Sequence, residues 1–257
     1  ENAHLIDPCR VAALSKDEVW TAPATRPIGV GEVLRRVSGR GVMTEHKPDL
    51  AARMLRANNF AFAPDGSGIV QKSIELLLEE NPTWVVISTD QSSAFQRVQR
   101  SCIERELFRD EKLRPLLPYF WSLYADPSRL YYGENFSFSS TEGTQQGCSG
   151  GTGFYGLGSA DIYEQLIEEC VDVTVFGFVD DYYAVGPPAA VKEFYVRYDE
   201  LLAEHGMALN SAKGKVYSPS TASLADPAVQ DLVDLGITVC SDGVKVLGAP
   251  VGTPAFC

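Results

Sequence analysis

Phe176-Gly177-Phe178-Val179-Asp180-Asp181-Tyr182-Tyr183-Ala184-Val185 is the stretch on which the reading of this chain turns. Apolar residues run into two adjacent acids and out again. Neighbouring side chains on a strand point to opposite faces, so two acids inside an apolar strand pattern predict a tight hairpin turn. The flanks, 173–179 and 182–185, are rich in β-branched and aromatic residues, as strands are. Carboxylates at the tip of a buried hairpin are costly unless a cation sits beside them, and a divalent metal is the simplest candidate. From this stretch alone an ordinary Asp-Asp turn reads equally well. Its company decides.

Downstream, Val191, Phe194, Tyr195, Tyr198, Leu201 and Leu202 fall at helical spacing and predict an amphipathic helix ending at His205-Gly206. A polar turn with Lys213 and Lys215 follows, then a strand at Val216-Tyr217. Ser241-Asp242-Gly243 predicts a hairpin between 237–240 and 244–247. Upstream, 151–170 reads as a helix, preceded by the glycine-rich loop 141–151, whose backbone suits close approach to a ligand. Residues 129–138 alternate around Gly133 and predict another hairpin, and 94–107 carry a helical pattern. Trp84-Val85-Val86-Ile87-Ser88-Thr89-Asp90 is a short apolar run of the buried-strand type, ending in an acid. A helix is expected over 69–79, with Val70, Ile74, Leu77 and Leu78 on one face, stopped by Asn81-Pro82. Residues 1–25 read as an edge segment, and Pro27 with the glycines after it marks a strand-to-helix transition near Gly31.

At 257 residues and 45% hydrophobic, the chain can build one large domain or two small ones. It has no apolar run of the roughly 20 residues a membrane helix needs, so no membrane partner is expected. It opens Glu1-Asn2-Ala3-His4 without methionine and reads as an excised segment with no signal peptide. Six scattered cysteines with no C-x-x-C, and three histidines, argue against a zinc site or a disulfide framework. The expectation is an intracellular, reducing compartment. Lys plus Arg is 22 against 34 Asp plus Glu, a net charge of −12, whereas nucleic-acid binders carry a basic face.

If the strand ending at Asp90 lies beside the hairpin, Asp90, Asp180 and Asp181 meet at one end of a sheet. Such carboxylates suit a pair of divalent ions in phosphoryl transfer. Taken in order, the motifs resemble the reverse transcriptases, most closely the non-LTR retrotransposon type, over about residues 20–252. Arg26-Pro27-Ile28-Gly29-Val30-Gly31 is similar to the fingers motif whose leading arginine contacts the incoming triphosphate. Asp90-Gln91-Ser92-Ser93-Ala94-Phe95 resembles the first palm motif, with a metal-binding acid and an aromatic that crowds the sugar 2′ position. Gln145-Gln146-Gly147 resembles the Gln-Gly motif that packs on template and nucleotide. The family follows it with Asp-Pro-Leu, where this chain has Cys148-Ser149-Gly150. Phe178-Val179-Asp180-Asp181 is similar to the catalytic turn, Leu209-Asn210-Ser211-Ala212-Lys213 to the later palm motif with its lysine, and 246–252 to the primer-grip hairpin.

The resemblance implies an α+β fold. It would be a right-hand polymerase palm, with a ferredoxin-like antiparallel sheet and helices on one face, plus partial fingers. The thumb is expected to be absent, because the chain ends at Cys257. Residues 1–82 would be fingers-like and 83–257 the palm with its primer-grip hairpin. The implied activity is RNA-directed DNA polymerisation, with Asp90, Asp180 and Asp181 catalytic and binding Mg²⁺ (or Mn²⁺). Arg26, Phe95, Gln146, Gly147 and Lys213 would bind the nucleotide, and Leu247 with Gly248 the primer. Partners would be a primer–template with an RNA or DNA template, a deoxynucleoside triphosphate, and further subunits or flanking domains. Arg26, Arg35, Arg36, Arg40, Lys213 and Lys215 are expected to form a local basic cleft. The alternative is a domesticated, non-catalytic relative, a structural component of a larger ribonucleoprotein or protein assembly. The net charge favours that alternative, and the three intact carboxylates favour the enzyme. A two-metal nuclease would share the acids but leaves the Gln-Gly loop and Phe95 without a role.

Overall fold

Short apolar runs become strands and longer amphipathic ones helices, largely in the expected order. The structure, a computed structural model, describes residues 9–15, 25–132 and 135–257. Strand β1 (Cys9–Ser15) pairs antiparallel with β2 (Thr25–Gly31), and helices α1 (Val33–Glu45) and α2 (Lys47–Arg56) follow. Helix α3 (Gly66–Glu80) stops at Asn81, because the residue before a proline is driven out of helical geometry. Strand β3 (Val85–Thr89) leads to two helices where one pattern was expected, α4 (Ala94–Arg97) and α5 (Arg100–Arg109). The break is at Val98, whose extended backbone goes with a fully buried side chain. Pro115 and Pro118 sit in the first turns of a 3₁₀ turn (Arg114–Leu116) and of α6 (Leu117–Tyr124), where a missing N–H goes unnoticed.

The expected hairpin is β4 (Ser128–Tyr132) with β5 (Asn135–Ser140); Gly133 lies outside the described residues. Next come α7 (Gly151–Glu169), β6 (Thr174–Phe178), β7 (Asp181–Gly186) and α8 (Pro188–Glu204). A 3₁₀ turn (Ser211–Lys213) precedes β8 (Lys215–Tyr217), α9 (Thr221–Leu224) and α10 (Pro227–Asp234). The chain finishes with β9 (Thr238–Cys240), β10 (Gly243–Val246) and β11 (Ala249–Gly252). Among the described residues no helix is long and apolar enough to cross a membrane.

The chain divides into two compact units, Glu1–Leu50 with Ser93–Ser159, and Ala51–Ser92 with Ala160–Cys257. The first holds a sheet ordered β2-β1-β4-β5, with β1 and β4 parallel. Residues 9–15, expected at an edge, are therefore an inner strand; the rest of 1–24 lies outside the described residues. The helical core of this unit includes Ile103, Leu107, Phe120 and Phe154, all buried, with Phe120 edge-on to Phe154.

The second unit holds a sheet ordered β6-β7-β3-β8-β9, antiparallel except for β8 with β9. On one face Val86, Tyr183, Val185 and Tyr217 pack with Val70, Ile74 and Leu78 of α3 and with Val244, Val246 and Val251 of β10 and β11. Side chains alternate along β7, so Tyr182 points the other way, where its ring meets Tyr163 of α7 and Tyr198 of α8. The α7–α8 layer is the expected helical face, and α3 with the β10–β11 hairpin covers the opposite one. The hairpin expected across Ser241-Asp242-Gly243 does not form. β9 pairs with β8 and β10 with β11, because Val244 and Val246 complete the α3 core and cannot also extend the sheet edge. Turn residues mark a change of direction, and packing chooses the partner.

Candidate active site

Antiparallel register brings the acids to one end of the sheet in the second unit. Thr89 of β3 lies opposite Tyr182 of β7, so Asp90, the next residue along, faces the level of Asp181, and Asp180 closes the β6–β7 turn. The chain leaving β3 is pinned there by its backbone. Asn210 N–H donates to Asp90 C=O at 2.7 Å, and Ser92 N–H to Ala208 C=O at 2.9 Å. These bonds deliver the 3₁₀ turn at Ser211–Lys213, and Lys213 Nζ reaches Asp90 Oδ2 at 2.8 Å. Both side chains are substantially exposed, 47% and 31%, so this pair contributes only about 0–1 kcal/mol to stability.

The turn itself is Val179-Asp180, one residue earlier than an Asp-Asp turn, since Asp181 already begins β7 opposite Phe178. Val179 has φ +59°, the left-handed region, which costs an L-residue about 1–2 kcal/mol. Three features hold it. At Gly177 an added Cβ would overlap the Tyr182 ring, so glycine lets that ring lie across β6. Tyr182 is fully buried and stacks on Tyr163 with centroids 3.5 Å apart and planes 9° apart. Asn59, 2% exposed, bonds both backbone groups of Val179: its Oδ1 accepts from the N–H at 3.2 Å and its Nδ2 donates to the C=O at 2.9 Å. On the other side of the site Gln91, next to Asp90, is buried and donates through Nε2 to the Tyr163 and Tyr198 hydroxyls at 2.5 and 2.7 Å.

The donor chemistry fits a hard divalent cation, since carboxylate oxygens are the ligands Mg²⁺ and Mn²⁺ take. The side chains are not drawn into a cage: among the described residues, no three His, Cys, Asp or Glu side chains are grouped to hold a metal. The lysine ammonium on Asp90 is the cation in contact with that carboxylate.

Leu247 and Gly248 form the two-residue turn between Val246 and Ala249, with φ +50° and +88°, the paired positive values of a type I′ hairpin. Leu247 N–H donates to the Tyr183 hydroxyl at 3.1 Å, which ties this turn to the strand that carries Asp181. Burial first, and then the charge of Asp181, pushes the Tyr183 phenol up to about 12.

Arg26, Phe95, Gln146 and Gly147 belong to the first unit. Arg26 lies on β2 opposite Leu14, and its side chain is outside the described residues. Phe95 is 8% exposed and stacks on Tyr155 at 4.9 Å. Gln146 C=O accepts from Gly29 N–H at 2.8 Å, joining the glycine-rich loop to β2, and Gly147 is exposed. Arg35 corrects an expectation. It is not a surface cation but is 4% exposed, with Nη2 on Gln145 Oε1 at 3.1 Å and Nη1 on Cys9 Sγ at 3.0 Å. Arg36 and Arg40 are exposed. Of the buried amides among the described residues, the sequence reading quoted Gln91 and Gln145 within motifs but gave neither a role of its own, and it passed over Asn59. Asn59 stands in Ala57-Asn58-Asn59-Phe60, where nothing local sets it apart from a loop amide.

A family model described as reverse transcriptase (RNA-dependent DNA polymerase) matches residues 23–251. No curated protein matches the sequence. Among solved structures, apo telomerase from Candida Tropicalis is similar at 10% identity and a TM-score of 0.61, over 84% of this chain and 44% of that one. The same telomerase truncated from its C-terminal domain gives 12% and 0.56, over 82% and 50%. Telomerase from Candida albicans, in complex with a TWJ fragment of telomeric RNA, gives 12% and 0.59, over 98% and 46%. Likeness at such identity speaks to the fold alone, and the chain spans half or less of the length of these relatives.

Proposed function

The chain belongs to the reverse transcriptase family, and from that premise we propose that it is the catalytic part of an RNA-directed DNA polymerase. The observation that carries this reading is the end of the second unit's sheet, where register sets Asp90 at the level of Asp181 beside the Asp180 turn. Asp90 and Asp180, supported by Asp181, would hold divalent ions that supply Lewis-acid stabilisation of the phosphoryl oxygens. Lys213 would exchange its contact with Asp90 for the phosphates of the incoming nucleotide. Leu247 and Gly248, tied to β7 through Tyr183, would support the primer end. Arg26, Phe95, Gln146 and Gly147 take their nucleotide-side roles from the motif resemblance. Residues 1–82 are assigned to the fingers and 83–257 to the palm, and the partners are a primer–template and deoxynucleoside triphosphates.

The test is primer extension by the purified protein on RNA and DNA templates, with Mg²⁺ or Mn²⁺. Deoxynucleotide incorporation is expected. Asp180→Asn should lower it on the order of a thousandfold, the scale of several kcal/mol of lost transition-state stabilisation, while the fold persists. A second reading, a non-catalytic relative within a larger assembly, is favoured by one observation: Arg35, expected in a local basic cleft, is buried against Cys9 and Gln145 and adds nothing to a nucleic-acid surface. No incorporation on any template with either metal would decide for it.

A further inference from the structure

Val179 is a β-branched residue at φ +59°, a conformation such residues adopt only when their surroundings impose it. The peptide bond from Val179 leads directly into Asp180, so the plane of that peptide aims the first acid of the turn. Asn59 holds it from both sides, with Oδ1 accepting from Val179 N–H at 3.2 Å and Nδ2 donating to Val179 C=O at 2.9 Å. The carboxamide has two further partners. Oδ1 also accepts from Ala61 N–H at 3.1 Å, and Nδ2 also donates to the Tyr182 hydroxyl at 3.0 Å. Two donated and two accepted bonds exhaust what an amide offers at this position, and a carboxylate would supply no donor.

Asn59 is itself fixed by backbone bonds that do not involve its side chain. Gly177 N–H donates to Asn58 C=O, and Phe60 N–H to Gly177 C=O, both at 2.8 Å, so residues 58–60 run beside β6. Docking of this segment on the sheet is therefore accounted for without the amide. What the amide adds is the grip on the turn. We propose that Asn59 is a positioning residue for the reaction: by clamping Val179 in its left-handed conformation it holds Asp180 in its working orientation. This inference rests on the polymerase reading, and its test separates the two.

Wild type, Asn59→Ala, Val179→Gly and the double variant are compared. Glycine takes a positive φ without strain, so it removes the need for a clamp while leaving the docking of 58–60 alone. Asn59→Ala should lower kcat by about tenfold or more with KM for the deoxynucleotide little changed, the signature of an interaction felt in the transition state. It should also weaken Mn²⁺ binding, read by electron paramagnetic resonance without substrate. In the Val179→Gly background the same substitution should cost about threefold less or better, the coupling expected of residues in contact. Should Asn59→Ala fail to fold, Asn59→Asp, which keeps the acceptor and loses the donor, is expected to lower kcat in its place. An equal loss in both backgrounds, or a loss of twofold or less, overturns the proposal. If the wild type neither extends primers nor binds Mn²⁺, the polymerase reading falls, and hydrogen exchange of the Val179 amide decides the clamp. Exchange about tenfold faster in Asn59→Ala, relative to β3 amides, supports it, and unchanged exchange removes it.

Discussion

Two tight hairpins of the second unit solve one problem in different ways. In β6–β7 the turn is Val179-Asp180, and in β10–β11 it is Leu247-Gly248; each begins with a non-glycine residue at positive φ, +59° and +50°. The second turn supplies its own remedy, because Gly248 takes φ +88° at no steric cost and nothing lies within 4 Å of where its Cβ would be. The first has no glycine in the turn, and its geometry is imposed from outside by the Asn59 amide and the Tyr182 ring. One turn is written in local sequence; the other is held by tertiary contacts. Strained residues persist only where the surrounding structure over-determines them, and they cluster at functional sites.

The largest effect that bears on this contrast is at the glycines. Gly177→Ala drives a methyl into the Tyr182 ring, which the Tyr163 stack prevents from yielding, so it should cost about 1–3 kcal/mol in urea unfolding. Gly248 is constrained only by its backbone. Gly248→Ala should cost about 1–2 kcal/mol and Gly248→Asn distinctly less, since Asn tolerates the left-handed region. A Gly248→Asn variant as damaged as Gly177→Ala would erase the distinction between a turn limited by conformation and one limited by space.

The same contrast explains what could be read from the sequence. The strand ending at Asp90, the acid-tipped hairpin and the helix over 188–204 announce themselves by period and composition, and six short motifs in order carried the family. Leu247-Gly248 was expected only through the resemblance of 246–252 to the primer-grip hairpin, since the residue pattern put Leu247 at the end of a strand. Asn59 was not legible, because its role depends on residues 120 positions away, and no local pattern distinguishes an amide that grips a turn from one in a loop. Arg35 misled by composition: charge counts do not tell a solvated guanidinium from one buried on a glutamine and a thiol. The Ser241-Asp242-Gly243 turn was seen correctly as a turn, and its pairing was decided by the α3 core.

A smaller effect probes the link between the two hairpins. Tyr183→Phe deprives Leu247 N–H of its acceptor and should cost about 0.5–1.5 kcal/mol at neutral pH. The pH dependence carries a definite sign. The folded-state value, about 12, lies above the ordinary phenol value of about 10, so the folded state favours the neutral phenol. Its contribution is complete below about pH 10 and is lost as pH rises through about 12. Unfolding followed from pH 8 to 12 should therefore show wild type losing more stability than Tyr183→Phe across that window. Parallel curves would mean that the Tyr183 phenol is not held up by burial and the Asp181 charge as the fold places it, while the neutral-pH cost of Tyr183→Phe remains the test of the bond to Leu247.

The smallest effect on stability concerns Asp90, which lies level with Asp181 beside the β6–β7 turn. Lys213 Nζ lies 2.8 Å from Asp90 Oδ2 in a pair exposed enough to be worth about 1 kcal/mol at most, so Lys213→Ala should barely move the unfolding midpoint. Its value is as a competitor. A divalent ion approaching Asp90 must displace an ammonium already there, and removing that ammonium should tighten Mn²⁺ binding by up to about fivefold, the equivalent of that pair. Primer extension should move the other way, because the same lysine is the proposed phosphate contact. Opposite shifts in metal affinity and in turnover would sharpen the contrast: Asp180 is aimed by a fixed clamp, whereas Asp90 is screened by a cation that leaves. If both fall together, Lys213 positions Asp90 as Asn59 positions Asp180, and the two sides of the site are built alike.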